Sequence, residues 1–416
     1  MSLLFPKING ELVPQSRSGH TAVLYQGQVL VHGGYGEAYA HQRQWHDVYM
    51  DPSEIWSYNV EVSQWTRLGT RGKYPNSGLS GACACVLKDC MIVYGGFEDG
   101  AGRTSSVYQL DLVSLKWRNL TEEGVIQGRY PSKRDKLVCW VHNNKIIYFG
   151  GFGVPPTDEN GIVAEFCYEQ YPWGPFQGLG WNDHVFVLDM SELEKIQWKY
   201  PETKGQKPHP RAAHATTKVN NKGFVFGGRS KAKRLNDMYC LDLDKFEWKN
   251  VKYNSAAPCG RSWHCLNKLS NKRLILYGGL DTNGDPMSDI WLFDIENSTW
   301  HQTENVNERL GQYATRMWHT GVGTDNNNEV MIFGGCINSV LSDDSSIHSN
   351  LVVIYRSNPL SLEQLCIYRV LDALGELRKK LALLPHSIQK RIYLHLHARG
   401  LALETDDQAN GVCALS

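Results

Sequence analysis

Six short apolar segments that each end in two consecutive glycines constrain the fold of this chain more than any other feature. They recur every 50 to 75 residues, roughly, along almost the whole sequence. The segments are QVLVHGGY, MIVYGGF, IIYFGGF, FVFGGR, LILYGGL and VMIFGGC. Repeats of this length that have a strand pattern and are punctuated by glycine are typical of β-propellers, so six copies predict six blades.

Most of the glycine pairs are followed by a second strand pattern that ends in tryptophan, as in MYCLDLDKFEW at Trp248. The diglycine with spaced Tyr and Trp resembles the kelch repeat. We therefore expect an all-β six-bladed kelch β-propeller over residues 1–358. No Trp-bearing outer strand follows LVVIY in the last repeat, and this predicts that residues 3 to 13 supply the outer strand of blade six.

Composition excludes several classes of partner and cofactor. Basic and acidic residues balance at 43 each, which argues against nucleic-acid binding. The chain has no 18-residue apolar run and its N-terminus lacks a signal-peptide pattern, so we expect no membrane contact and an intracellular protein of nucleus and cytoplasm. The eleven cysteines show no zinc spacing, which predicts buried structural thiols for all but Cys366, no metal and no cofactor.

The residues that open the inner strands recur from blade to blade. Four repeats carry an Arg and a His three residues apart, in RSGH, RAAH, RSWH and RMWH. Because they recur, we interpret this Arg and His as braces within each repeat. Ligand specificity must then come from positions at which the blades differ.

Those differences cluster at one mouth of the propeller, where antiparallel blades bring together the loops after GG and the starts of the inner strands. Arg229 follows its GG directly, where the other blades have an aromatic, apolar or Cys side chain. The remaining candidates are Arg234, Lys136, Ser262, Trp263 and Trp318, with Tyr168, Tyr171, Trp173 and Trp181 from the long loop of blade three. They predict an aromatic-walled pocket with two arginines and a serine at one side.

Such a pocket suits a carboxylate. Arginine's planar fork binds a carboxylate through two hydrogen bonds, and aromatic walls exclude water and strengthen them. A peptide C-terminus is a natural ligand for this arrangement. From the residues alone a second interpretation stays open, in which Arg229 and Arg234 pair with nearby acids such as Asp237 at a solvated loop rim.

Longer motifs narrow the choice. The segments SGLSGACA, SKRDKLVCWVHNNKIIYFGG, GWNDHVFVLD, GRSWH and RMWH are similar to those of the kelch-repeat substrate receptors of a cullin-2 ubiquitin ligase. The resemblance implies recognition of C-terminal degrons, especially those ending in Gly-Gly, and ubiquitination and proteasomal degradation of the proteins that bear them.

The resemblance implies which residues of this sequence bind the ligand, because each stands at a position that matches a binding residue of the family. It implies that Arg229, Arg234 and Ser262 hold the terminal carboxylate. Lys136, Trp181 and Trp263 complete the degron pocket, to which Tyr35, Phe152 and Trp318 are added. Phe152 stands where the family has a tyrosine, and Tyr35 keeps its hydroxyl. The loss of the hydroxyl at Phe152 puts part of the hydrogen bonding to the ligand backbone in question.

After the last strand the pattern changes from β alternation to a helical period over residues 359–400. SLEQLCIYRV resembles an elongin-binding BC box, and Leu362, Cys366 and Val370 are spaced by four on one helix face. LPHSIQKRI resembles a cullin-2 box, with Leu384, Pro385, Ile388 and Ile392. The implied partners are elongin B, elongin C and cullin-2 with its RING subunit. Residues 401–416 predict a flexible tail.

Two other classes of function stay open at the level of sequence. One is a kelch scaffold that binds actin or a signalling protein by its rim, with the helices packed on the propeller. The other is a propeller oxidase with a copper site, which the absent metal spacing disfavours. No nucleophile with an assembled base and no phosphate loop are present in the sequence, so we expect a binding subunit that is not an enzyme.

Overall fold

Six antiparallel sheets arranged as the blades of a propeller make up most of the molecule, followed by a pair of helices. The computed structural model describes residues 2–4, 13–39, 45–155, 157–158, 161–162, 167–168, 178–192, 195–303, 311, 314–324, 328–339, 345–359, 361–373, 381 and 383–398. The prediction of a six-bladed kelch β-propeller with a helical C-terminal segment is confirmed.

Each blade has four main strands, in the order inner, second, third, outer. Inner strands are Thr21–Tyr25, Cys83–Leu87, Val138–His142, Ala215–Val219, Cys265–Lys268 and Thr320–Gly323. Second strands are Gln28–His32, Cys90–Tyr94, Lys145–Phe149, Lys222–Phe226, Arg273–Asp281 and Glu329–Phe333. Third strands are Glu54–Asn59, Val107–Asp111, Val185–Asp189, Met238–Asp242, Pro286–Asp294 and Val352–Arg356.

The outer strands close each blade. They are Gln64–Gly69, Lys116–Asn119, Gln197–Lys199, Glu247–Asn250, Thr299–Gln302 and, for blade six, Ser2–Leu4. Ser2–Leu4 pairs antiparallel with Val352–Arg356. The predicted closure by residues 3 to 13 is therefore confirmed for residues 3 and 4. Residues 5 to 12 lie outside the described part of the chain, and Val13 is not part of a strand.

Shorter strands lie at both edges of the blades. Arg71–Gly72 and Lys204–Gly205 add parallel fifth strands to blades two and four. Those at the mouth are Tyr35–Tyr39, Trp45–Tyr49, Leu79–Ser80, Phe97–Glu98, Gly102–Arg103, Arg134–Asp135, Phe152–Gly153, Thr157–Asp158, Gly161–Ile162, Cys167–Tyr168, Gly180–Trp181, Arg229–Ser230, Lys233–Arg234 and Arg261–Ser262.

The second strands are apolar on both faces because each blade is covered by a neighbour on either side. Their β-branched and aromatic residues, as in MIVY and IIYF, suit such doubly buried strands. Each outer-strand tryptophan packs against the preceding blade. Trp248, for example, has its ring 4.9 Å from Phe149, and Trp198 lies 5.3 Å from Tyr94. The repeated tryptophan thus joins neighbouring blades.

The recurrent Arg and His brace the blades, as the sequence pattern indicated. Arg211 donates from Nη1 to the carbonyl of Gly227 at 2.9 Å and forms a two-bond ion pair with Asp237. His214 is buried beside Gly150 of the preceding blade, where a Cβ on that glycine would lie 2.7 Å from the imidazole. Arg therefore fastens its own blade, and His fills the space that the preceding blade's first glycine leaves open.

A closed ring of backbone hydrogen bonds joins the six blades at the mouth. Its members, one from each blade, all have left-handed φ between 54° and 66° and are Gly19, Gly81, Lys136, Ala213, Trp263 and Trp318. Each donates its N–H to the carbonyl of the member before it at 2.8 to 3.1 Å, and Gly19 closes the circle by donating to Trp318. We call these residues the axial ring.

Two helices follow the propeller. Helix α1 is Leu362–Asp372, and its N-cap Ser361 forms a capping box with Gln364. Helix α2 is His386–Ala398 and packs against α1. Neither is long and apolar enough to span a membrane.

Candidate functional site

A cavity of about 320 Å³ opens at the mouth directly above part of the axial ring. Its lining residues are Arg103, Lys136, Phe152, Trp181, Ala212, Ala213, Arg229, Ser262, Trp263 and Trp318. The structure thus brings together seven of the nine residues predicted for the degron pocket. The volume lies at the small end of the range for ligand sites.

Two stacked indoles form one wall of this cavity. Trp263 and Trp318 are consecutive members of the axial ring, and their rings lie 5.0 Å apart at 23°. A Cβ on Gly19 would lie 3.2 Å from the Trp318 indole, so a larger residue at this ring position would crowd the indole. Lys136, also an axial ring member, holds its ammonium 5.2 Å from the Trp318 ring centroid.

Arg229 and Ser262 form the predicted carboxylate-binding side. Arg229 donates from Nε to the carbonyl of Lys231 at 2.8 Å, and its guanidinium lies 5.8 Å from the centre of the Trp181 ring. Arg234 donates from Nε to the Ser262 hydroxyl at 2.9 Å. The cavity therefore presents the Arg229 guanidinium and the Ser262 hydroxyl. The buried Arg234 holds that hydroxyl in position.

Asp237, the acid named in the competing interpretation, is bound to another arginine. Its two carboxylate oxygens accept hydrogen bonds from Arg211 at 2.6 and 2.9 Å. Asp237 therefore belongs to the bracing pair of blade four and is engaged within the blade.

Two predicted pocket residues lie behind the cavity. Arg234 is only 9% exposed and reaches the cavity through Ser262. Tyr35 is buried against Tyr49, Trp318 and His348, with ring centroids 5.2 to 5.7 Å apart. Neither is among the described residues that line the cavity, so in this structure both support lining residues. Burial raises the pKa of the Tyr35 hydroxyl, which keeps it protonated. The side chains of Tyr168, Tyr171 and Trp173 lie outside the described residues.

Arg103 also lines the cavity and was not among the residues predicted from the sequence. It pairs across a short hairpin with Phe97, the residue after GG in blade two, as Arg234 pairs with Arg229 in blade four. Aligning the loops of the two blades by this pairing would have found it. Its guanidinium lies 4.8 Å from the Phe152 ring centroid.

The helical segment carries a second candidate surface. Leu362 is 82% exposed and Cys366 is also exposed, whereas Ile367 and Leu371 face inward. Val370 is half-buried in the helix pair. Among the residues of this segment that the structure describes, five large apolar side chains are exposed: Leu362, Leu365, Leu383, Tyr393 and Leu394. Such a concentration of exposed apolar residues indicates an interaction surface.

The predicted cullin-binding residues divide between surface and interior. Pro385 is exposed, while Leu384 and Ile388 are half-buried against the helix pair. Ile392 is fully buried, so in this structure it is a packing residue. Arg391 ties the helices to the propeller, donating to Glu61 of blade one at 2.5 Å and pairing with Glu363 at 2.9 Å.

Comparisons with known proteins agree with this fold. A family model described as the KLHDC2/KLHL20/DRC7 Kelch-repeats domain matches residues 19–173 and 174–335. Kelch domain-containing protein 2 is 39% identical in Homo sapiens and 37% in Bos taurus, over 91% of both chains. Kelch domain-containing protein 1 of Mus musculus is 32% identical over 91% of this chain and 90% of the relative.

A solved structure supports the architecture alone. The structure of YjhT superimposes with a TM-score of 0.56 at 15% identity and covers 82% of this chain and 95% of that one. The family model and the sequence relatives show that the chain belongs to the KLHDC2/KLHL20/DRC7 family of kelch-repeat proteins.

Proposed function

We propose that this chain is the substrate-recognition subunit of a cullin-2 RING ubiquitin ligase and that its cavity holds the C-terminus of proteins ending in Gly-Gly. Ubiquitin transfer would belong to the partner subunits, and capture would lead to proteasomal degradation of the bound protein. The kelch-repeat relatives are generally substrate-binding proteins without catalysis of their own, which agrees with this role.

The observation that carries the proposal is the combination of Arg229, Ser262 and aromatic walls in one small cavity. A guanidinium and a hydroxyl supply donors to a carboxylate, and the tryptophans lower the local dielectric so that these bonds strengthen. A protein C-terminus offers that carboxylate on an extended chain.

The size of the cavity supports glycine at the end of the ligand. Trp181 is nearly fully buried in the cavity wall, and Trp263 is stacked on Trp318, so neither ring can move without losing packing. Side chains on the last two ligand residues would meet these rings, whereas glycines avoid them.

The ligase role rests on helix α1. Leu362 and Cys366 lie on its exposed face while the capping box and the buried Ile367 hold the helix in place. An exposed apolar stripe on a fixed helix suits a groove on a partner protein, which is the elongin contact that the BC-box resemblance implies.

Calorimetry with a peptide that ends in Gly-Gly tests the carboxylate site. Arg229→Ala should weaken binding about thirtyfold, since truncating one partner of a buried charge pair costs about 2 kcal/mol or more. Arg71→Ala is the matched control, because Arg71 is exposed on the outer edge of blade two. Amidating the peptide C-terminus should reduce affinity as strongly as Arg229→Ala, and unchanged affinity for the amide would refute the carboxylate site.

Co-purification separates the ligase subunit from a scaffold. The full chain should retain elongins B and C and cullin-2 in a pull-down. A chain that binds diglycine peptides but retains neither elongin would be a kelch binding protein of another kind, such as a scaffold.

A further inference from the structure

Arg103 gives the cavity a second cationic wall. The rings of Phe152 and Trp181 lie 5.0 Å apart, with Arg103 placed against Phe152 and Arg229 against Trp181. Each arginine therefore covers a different ring of one aromatic pair. A ligand lying over this pair would meet a guanidinium at both rings.

A buried carboxylate holds Arg103 in this position. Asp135 is 1% exposed and accepts a hydrogen bond from Arg103 Nε at 3.2 Å and from the Lys136 ammonium at 2.5 Å. One carboxylate thus faces two cations. Together Arg103, Lys136 and Asp135 carry one net positive charge. Both cations line the cavity, so this charge faces a ligand there.

The outer part of the Arg103 guanidinium remains available to a ligand. Within the described part of the chain, its hydrogen bonding to protein uses Nε alone, and its side chain is 17% exposed. The two terminal nitrogens form the fork that binds a carboxylate through parallel hydrogen bonds. The neighbouring ring of Phe152 has no hydroxyl to offer, so Arg103 is the donor at this ring.

We propose that Arg103 binds an acidic side chain of the ligand, upstream of its terminal glycines. This inference rests on the proposed function, because it assigns Arg229 and Ser262 to the terminal carboxylate and leaves Arg103 for a second anion. An extended chain advances about 3.3 Å per residue, so we expect the acid at the third to fifth residue from the end. The preferred ligand is then an acidic C-terminal peptide.

Peptide binding to the full chain tests this proposal. The reference is a diglycine peptide with neutral upstream residues. At each of those three positions, an Asp peptide is compared with its Asn counterpart and a Glu peptide with its Gln counterpart. We expect the best acidic peptide to bind about tenfold more tightly than its amide counterpart. Arg103→Met should abolish this difference, whatever its effect on the affinity for the neutral peptide.

The matched control is Arg71→Met, which removes an exposed arginine from the same blade and should keep the preference. Comparing the acid-to-amide ratio within each variant cancels any general effect of the substitution on folding. An equal affinity for acid and amide at all positions in the unsubstituted chain would refute the proposal. So would a preference that survives Arg103→Met. Failure of every diglycine peptide to bind would instead refute the proposed function itself, and this inference with it.

Discussion

Lowering the pH should weaken the propeller through the buried histidines between its blades. His20, His214, His264 and His319 recur at the fourth residue of the inner-strand openings and are all buried. Burial, and then the charge of the neighbouring bracing arginine, holds the pKa of each imidazole far below its usual value. For His319 the pKa falls to about 3.

The sign follows from comparing the folded and unfolded chains. In the unfolded chain each imidazole has its ordinary pKa of about 6.5 and takes up a proton as the pH falls through that value, while in the folded chain it stays neutral. Stability is therefore complete above pH 6.5 and declines below it. From pH 7.5 to 5.5 the loss is about 5 kcal/mol for the four histidines together, shared equally among them.

Urea unfolding at both pH values measures this loss, and His264→Gln isolates one histidine. Between pH 7.5 and 5.5 the free energy of unfolding of the variant should fall by about a quarter less than that of the unsubstituted chain. His301→Gln removes an exposed histidine and should leave the loss unchanged. If His264→Gln has the same pH dependence as the parent, or if NMR shows the His264 ring of the folded protein titrating near 6.5, the argument from burial is refuted.

Three further predictions concern the ligand, the partners and the glycine pairs. A terminal Gly-Gly peptide should bind about tenfold or more tightly than Gly-Val or Val-Gly, and equal binding on a peptide array would contradict a steric limit. Leu362→Ala with Cys366→Ala should lose elongins and cullin in pull-downs but keep peptide affinity, whereas Pro385→Ala should retain elongins and reduce mainly cullin binding. Gly228→Ala would place its Cβ 2.7 Å from His214 at a φ of 97° and should lower the free energy of unfolding by about 2 kcal/mol, while Gly100→Ala, with nothing within 4 Å, should cost less.

The repeats made the architecture predictable because each blade places the same residue types in the same surroundings. The apolar run before GG is buried in every blade, and the left-handed φ of the first and second glycines recurs six times. Even the unusual closure followed from a repeat that lacked its own outer strand. The exposed Leu362 and Cys366 were likewise evident as one stripe of a helix.

Departures from the repeat also located most of the cavity. Arg229 and Lys136 stood out because the equivalent positions in the other blades hold different residue types. This comparison works for side chains that point into the mouth at the same position of each blade. The comparison does not show how deeply a side chain is buried. For this reason Tyr35 and Arg234 were expected in the cavity lining, whereas they lie behind it.

The sequence by itself therefore determined the six blades, their bracing and the chemistry gathered at one mouth. Only the tertiary structure decided which of those side chains meet. Arg103 of blade two reaches Phe152 of blade three, and Trp318 of blade six rests on Gly19 of blade one almost 300 residues away in sequence. The physical reason is that strand patterns arise from local periodicity, whereas cavity contacts depend on how the ring closes and on side-chain directions across blade boundaries, which no local pattern specifies.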